Sequence, residues 1–169
     1  QLVYAIVYHF SGEYSLPYHL MSIILHILNA YFVFLIASKL KFSKVSALIA
    51  AFFFLLHPVQ TEAVSYISGL ADPLSLCFLL SGVFFMLKSF NTESNNLYIN
   101  NTIISIIFFI LALFTKENMV VLLPLVIIVI IVNNILNKNE INKKRILIYI
   151  LSVLIIVSIY LFLKFTVFT

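Results

Sequence analysis

Six apolar runs, at about 20–38, 45–64, 73–90, 100–114, 119–136 and 146–164, alternate with short polar connections along this chain. A helix crossing a hydrocarbon core of about 30 Å needs about 20 residues, with about 17–25 tolerated. Most of the runs meet that length, and the fourth is short. Backbone polar groups at bilayer depth must be satisfied within their own segment, so runs of this kind form helices. The pattern predicts an all-α fold: a polytopic integral membrane helical bundle of about six spanning helices. The second run carries its own warning. Val45 to Leu56 makes only about 18 Å of helix before His57-Pro58. The chain there either continues through a proline kink or turns into a protein-lined cavity near His57.

The connections carry a second pattern. Lys39, Lys41, Lys44, Lys88, Lys138, Lys143, Lys144 and Arg145 all fall in connections that six spans place on one side. The opposite connections, 1–19, 57–72 and 115–118, hold only Lys116. That asymmetry marks the basic side as cytoplasmic. The N-terminal segment, the stretch His57–Asp72 and the turn Thr115–Asn118 then share the non-cytoplasmic face.

Composition agrees with the pattern. The chain is 63% hydrophobic and 9% charged, against about a quarter charged in soluble domains. Its net charge of +4 follows membrane orientation, so the basic residues predict lipid contact and no nucleic-acid partner. Three glycines exclude a phosphate-cradling glycine loop, and one cysteine, Cys77 in an apolar run, excludes an internal disulfide and a cysteine metal site. The chain begins at Gln1 without a signal-peptide layout, and is read as a fragment of a longer protein.

His57-Pro58-Val59-Gln60-Thr61-Glu62-Ala63-Val64 through Gly69-Leu70-Ala71-Asp72 is the densest polar stretch between apolar runs. Ionisable groups near the membrane call for a cavity or a partner. Glu62 and Asp72 have the chemistry of a general base toward a hydroxyl, or of oxygen ligands for a divalent metal. Asp72 before Pro73 equally fits a helix cap. His57 suits a metal ligand, a proton shuttle, a donor to phosphate, or a hydrogen-bond partner of a carboxylate. Lys116, with Glu117 beside it, is either a point-charge partner for a lipid-linked phosphate or the closure of a helical hairpin. His19 and His26 share a face of the first span, and His26 fits an interhelical hydrogen bond with Asn29 or a serine. Tyr4, Tyr8, Tyr14 and Tyr18 fit an aromatic belt at the outer interface. The asparagine-rich connection 91–101 reads as a solvated cytoplasmic linker.

Three motifs in order carry a family resemblance: Tyr18-His19-Leu20 leading to Leu25-His26, His57-Pro58-Val59-Gln60-Thr61-Glu62-Ala63-Val64 leading to Gly69-Leu70-Ala71-Asp72, and Leu113-Phe114-Thr115-Lys116-Glu117. Over roughly residues 1–120 the chain resembles the polytopic glycosyltransferases of the C-type fold that use a polyprenyl- or dolichyl-phosphate sugar. It is most similar to the O-mannosyltransferases in which a membrane domain precedes tetratricopeptide repeats, and to their bacterial relatives. The resemblance implies a lipid-linked sugar donor and a protein or glycan hydroxyl acceptor on the non-cytoplasmic face, with inversion at the anomeric carbon. Residues 1–169 would form part of that transmembrane domain, with a first span, first outer loop and principal catalytic carboxylate upstream and the repeats downstream. Alone, this piece would be inactive. Within it, Glu62 and Asp72 are the candidate catalytic residues, Lys116 and His57 the candidate donor-phosphate ligands, and Glu117, Gln60 and His19 the supporting ones. No cofactor is implied beyond room for a divalent metal. Leu70 stands where the family typically has arginine, and Ser22 where it usually has asparagine. The competing class is a transporter or flippase for a polar or lipid-linked substrate, since membrane His and Glu also suit proton relays. Such a protein is expected to show inverted repeats with matching broken helices, and Pro58 has no convincing counterpart.

Overall fold

The computed structural model describes residues 2–12, 14–58, 67–137 and 143–167. Every regular element among them is helical. They are α1 (Leu2–Ser11), α2 (Ser15–Lys39), α3 (Lys44–Leu56), α4 (Ala71–Phe90), α5 (Asn95–Thr115), α6 (Leu122–Asn137) and α7 (Lys143–Val167). Short 3-10 turns at Ile67–Leu70 and Glu117–Val121 lead into α4 and α6. Five helical segments are long and apolar enough to cross a membrane: Ser15–Lys39, Ala71–Phe90, Asn95–Thr115, Glu117–Leu136 and Lys143–Thr166. The chain is a multi-pass integral membrane protein. The remaining apolar run, the second along the chain, forms a shorter helix, Lys44–Leu56, of about 20 Å. Its extension from 59 to 64 lies outside the described residues.

Local chemistry sets the boundaries. Gly12 ends α1 in a left-handed conformation, φ 55°, with its N–H bonded to Tyr8 O. At the end of α2, Lys41 takes φ 63° while the N–H of Leu40 returns to Ile36 O and that of Phe42 to Ala37 O. Ser43 then caps α3, its Oγ accepting the Ser46 N–H at 3.1 Å. Two helices are thereby reversed within four residues.

α4 is the central helix: 61% of its most apolar window is buried, against 17–28% for the other four spans. Val83, Met86 and Leu87 meet Phe109 and Leu113 of α5, Val126 of α6, and Tyr149 and Val153 of α7. α4 and α5 approach closely at Gly82, where a Cβ would lie 2.4 Å from two ring carbons of Phe109. Ser105 of α5 uses the same gap to donate to Gly82 O at 2.7 Å. Because that bond takes the Ser105 proton, the buried Tyr149 hydroxyl is the donor to Ser105 Oγ. Outward faces of α2, α3 and α7 carry exposed Ile, Leu and Phe, the surface a bilayer solvates.

The two ends of the bundle differ. At one, Arg145 donates to Thr92 O and Asn95 Oδ1 and stacks 4.4 Å from the Tyr98 ring, joining the start of α7 to the α4–α5 connection. At the other, Lys164 near the end of α7 pairs with Glu117.

Several expectations are corrected. The connection after α4 is only 91–94, since α5 begins at Asn95 and Asn101 is buried within it. α2 begins at Ser15 rather than near residue 20. Tyr18 is therefore inside α2 and buried, donating to Gly12 O at 3.3 Å, instead of joining an interfacial belt. Tyr8 and Tyr14 are exposed as a belt requires. Asp72 is not a helix cap: Leu70 holds that position, and Asp72 lies in the first turn of α4.

Candidate functional site

The site forms where the end of α3, the start of α4 and the end of α5 come together, beside the middle of α2 for the first two. Asp72 enters it from the first turn of α4, where the helix N-terminus favours a negative charge. Lys116 enters from the end of α5, where its extended backbone (φ −150°, ψ 129°) breaks the helix. The Lys116 Nζ forms an ion pair with Asp72 Oδ1. Both side chains keep solvent access, at 33% for Lys116 and 40% for Asp72. A cation so placed is partly shielded by protein and still reachable, a geometry compatible with exchange of its carboxylate partner for a phosphate.

Glu117, the next residue, opens the 3-10 turn and turns to a different partner, Lys164 of α7. Two adjacent residues thus tie α5 to α4 and to α7. Lys164 had no role in the sequence reading, because nothing local links it to Glu117, 47 positions earlier.

His57 ends α3 with the extended backbone expected before a proline (φ −67°, ψ 127°), and its ring packs 5.0 Å from that of Phe53. It closes an open apolar groove of about 510 Å³ that runs along α3 from Val45 past Phe52 to Pro58. His19 is half-buried on α2. Gln60 and Glu62 lie outside the described residues. Among the described residues, no three His, Cys, Asp or Glu side chains gather as a metal-binding group.

A buried polar stripe on α2 supports the site. Asn29 donates from Nδ2 to Pro73 O at 2.9 Å, and His26 Nε2 lies 3.1 Å from Leu55 O. The sequence suggested Asn29 or a serine as the partner of His26. The structure gives it a backbone carbonyl instead, because Asn29 faces α4. Leu70, at the position where arginine was expected, is fully buried beside Tyr18, Leu25 and Cys77. An apolar side chain packs there without contributing charge to the site.

These features define a multi-pass membrane protein with a charged site at one end of its bundle, and comparison supplies the family. Residues 1–162 match the dolichyl-phosphate-mannose-protein mannosyltransferase model, and the chain belongs to that family. It is similar to the Protein O-mannosyl-transferase Tmtc1 of Drosophila melanogaster, with 34% identity over 110 residues, 64% of this chain. It is also similar to the Protein O-mannosyl-transferase TMTC3 of Homo sapiens, with 30% identity over 114 residues, 68% of this chain. The mouse TMTC3 is 29% identical over 116 residues. The matched segment spans about 12% of the length of each of these relatives. No solved structure matches the chain significantly.

Proposed function

We propose that this chain is the donor-binding part of a membrane mannosyltransferase that moves a sugar from a lipid phosphate to a hydroxyl of a protein acceptor on the non-cytoplasmic face. The Asp72–Lys116 ion pair carries this reading. Family membership supports the transfer chemistry, and the basic residues at the other end of the bundle support the orientation.

In the transfer, the bond from the sugar C1 to the donor phosphate oxygen breaks and a bond from C1 to the acceptor oxygen forms. The lipid phosphate leaves with the electron pair. Its developing charge is where a fixed cation helps most. Lys116 supplies that cation, exchanging Asp72 for phosphate when donor arrives. Asp72 holds the ammonium in place beforehand, and His57 lies at the mouth of the α3 groove as a second donor to phosphate. The acceptor proton passes to a carboxylate. Of the two candidates within this chain, Asp72 serves Lys116 and Glu62 takes the proton, and the resemblance implies a further carboxylate upstream.

The test is transfer from dolichyl phosphate mannose to a serine- and threonine-containing peptide, by the full-length protein in membranes. Lys116→Ala and Glu62→Ala should each lower kcat/KM at equal expression. Wild-type rates in both variants would overturn the site assignment. Substrate uptake by proteoliposomes without glycosylated product would overturn the transferase reading itself.

A further inference from the structure

We propose that His26 and Asn29 are positioning residues that set the end of α3 and the start of α4 against one another, and so place His57 and Asp72 at the site. The inference rests on the donor-binding reading only for its functional consequence.

Ser22, His26 and Asn29 follow one another at helical spacing on α2, so they share a face. All three are buried, Asn29 completely, while Ile23, Ile24, Ile27 and Leu28 of the same helix are exposed. Polar side chains inside a span need a reason. General adhesion between helices is one, through bonds between side chains wherever two spans touch. The partners here are more particular. His26 reaches Leu55 O, which lies in the last turn of α3, where carbonyls have no partner within their own helix. A carbonyl only accepts, so the proton is on Nε2. Asn29 reaches Pro73 O, in the first turn of α4 and next to Asp72. Side chains three positions apart on α2 therefore hold the terminal backbone of two other helices. One of those ends carries His57 two residues on, and the other carries Asp72 one residue back.

Asn29 lies about 21 Å along α2 from Ser15, and His26 about 16 Å. α2 thus overhangs both ends that it holds. α3 stops short beside it, and α4 starts beside its middle. The shortness of α3 and the recessed start of α4 give the charged pair its place below the outer end of α2.

The experiment uses the full-length protein in nanodiscs, with Asn29→Leu, His26→Phe and the donor-retaining Asn29→Gln. Hydrogen exchange is followed peptide by peptide, and transfer from dolichyl phosphate mannose is measured in parallel. In the Leu and Phe variants, amides of 54–58 and 67–74 should exchange about tenfold faster, with those of α5 and α7 unchanged. Asn29→Gln should restore most of the protection. Where wild-type transfer is measurable, the donor KM should rise with kcat less affected. Unchanged exchange at both segments, or a uniform rise across all helices, would overturn the positioning role. Local loosening in a protein that transfers no sugar would leave positioning intact and overturn the donor-binding reading instead.

Discussion

Lys116 and Asp72, 44 positions apart, meet as an ion pair because α5 breaks at the level where α4 begins. Two of the sequence motifs are joined by that contact. Both side chains keep a third or more of their solvent exposure, so the pair contributes only about 0–1 kcal/mol to stability. On the proposed donor-binding reading, its placement serves binding more than folding. Lys116→Ala should leave thermal unfolding in detergent within a few degrees of wild type while raising the donor KM about tenfold or more. Asp72→Asn should show a smaller loss, since the cation remains. A Lys116→Ala protein that unfolds early and binds donor normally would reverse this ranking of roles.

The contact between Gly82 and Phe109 sets how closely α4 and α5 approach. A Cβ at position 82 would overlap the ring at 2.4 Å. Gly82→Ala should therefore destabilise the bundle by about 1–3 kcal/mol, and Gly82→Val by more. Adding Phe109→Leu should recover part of the loss, because the smaller side chain vacates the space. Equal melting of wild type and Gly82→Ala would show that the helices separate easily there.

Ser105 and Tyr149 make an ordered pair of predictions. Tyr149→Phe removes a donor but leaves Ser105 bonded to Gly82 O, so it should cost about 0.6 kcal/mol, the usual size of an interhelical bond in a membrane. Ser105→Ala leaves the fully buried Tyr149 hydroxyl without that partner and should cost more, about 1–3 kcal/mol. Chemical denaturation of both variants checks the order, and the reverse order would mean that the tyrosine hydroxyl finds another acceptor.

Orientation has a direct measurement. Ser94, in the connection after α4, and Asn118, after Lys116, are both exposed and lie at opposite ends of α5. Single cysteines at these positions should react with an impermeant maleimide from opposite sides of sealed vesicles, Asn118→Cys from the non-cytoplasmic side. Labelling of both from one side would remove the alternating arrangement of spans.

The sequence by itself determined the helical class, the membrane environment and the placement of the polar motifs relative to the basic connections. Those are local properties: run length decides whether a segment spans, and the lysines and Arg145 act on orientation one connection at a time. It also flagged α3 as too short, from Leu56 and Pro58 alone. Only the tertiary structure decided which side chains meet. Spans that face lipid are apolar nearly all round, so the stripe that reveals the inward face of a soluble helix is faint here. The few polar residues within spans were the one available signal. His26 was expected to bond between helices, but the sequence did not show that it would reach Leu55 O, or that Asn29 would reach Pro73 O. Lys116 with Asp72, and Lys164 with Glu117, are products of helix rotation and depth, which hydropathy does not encode.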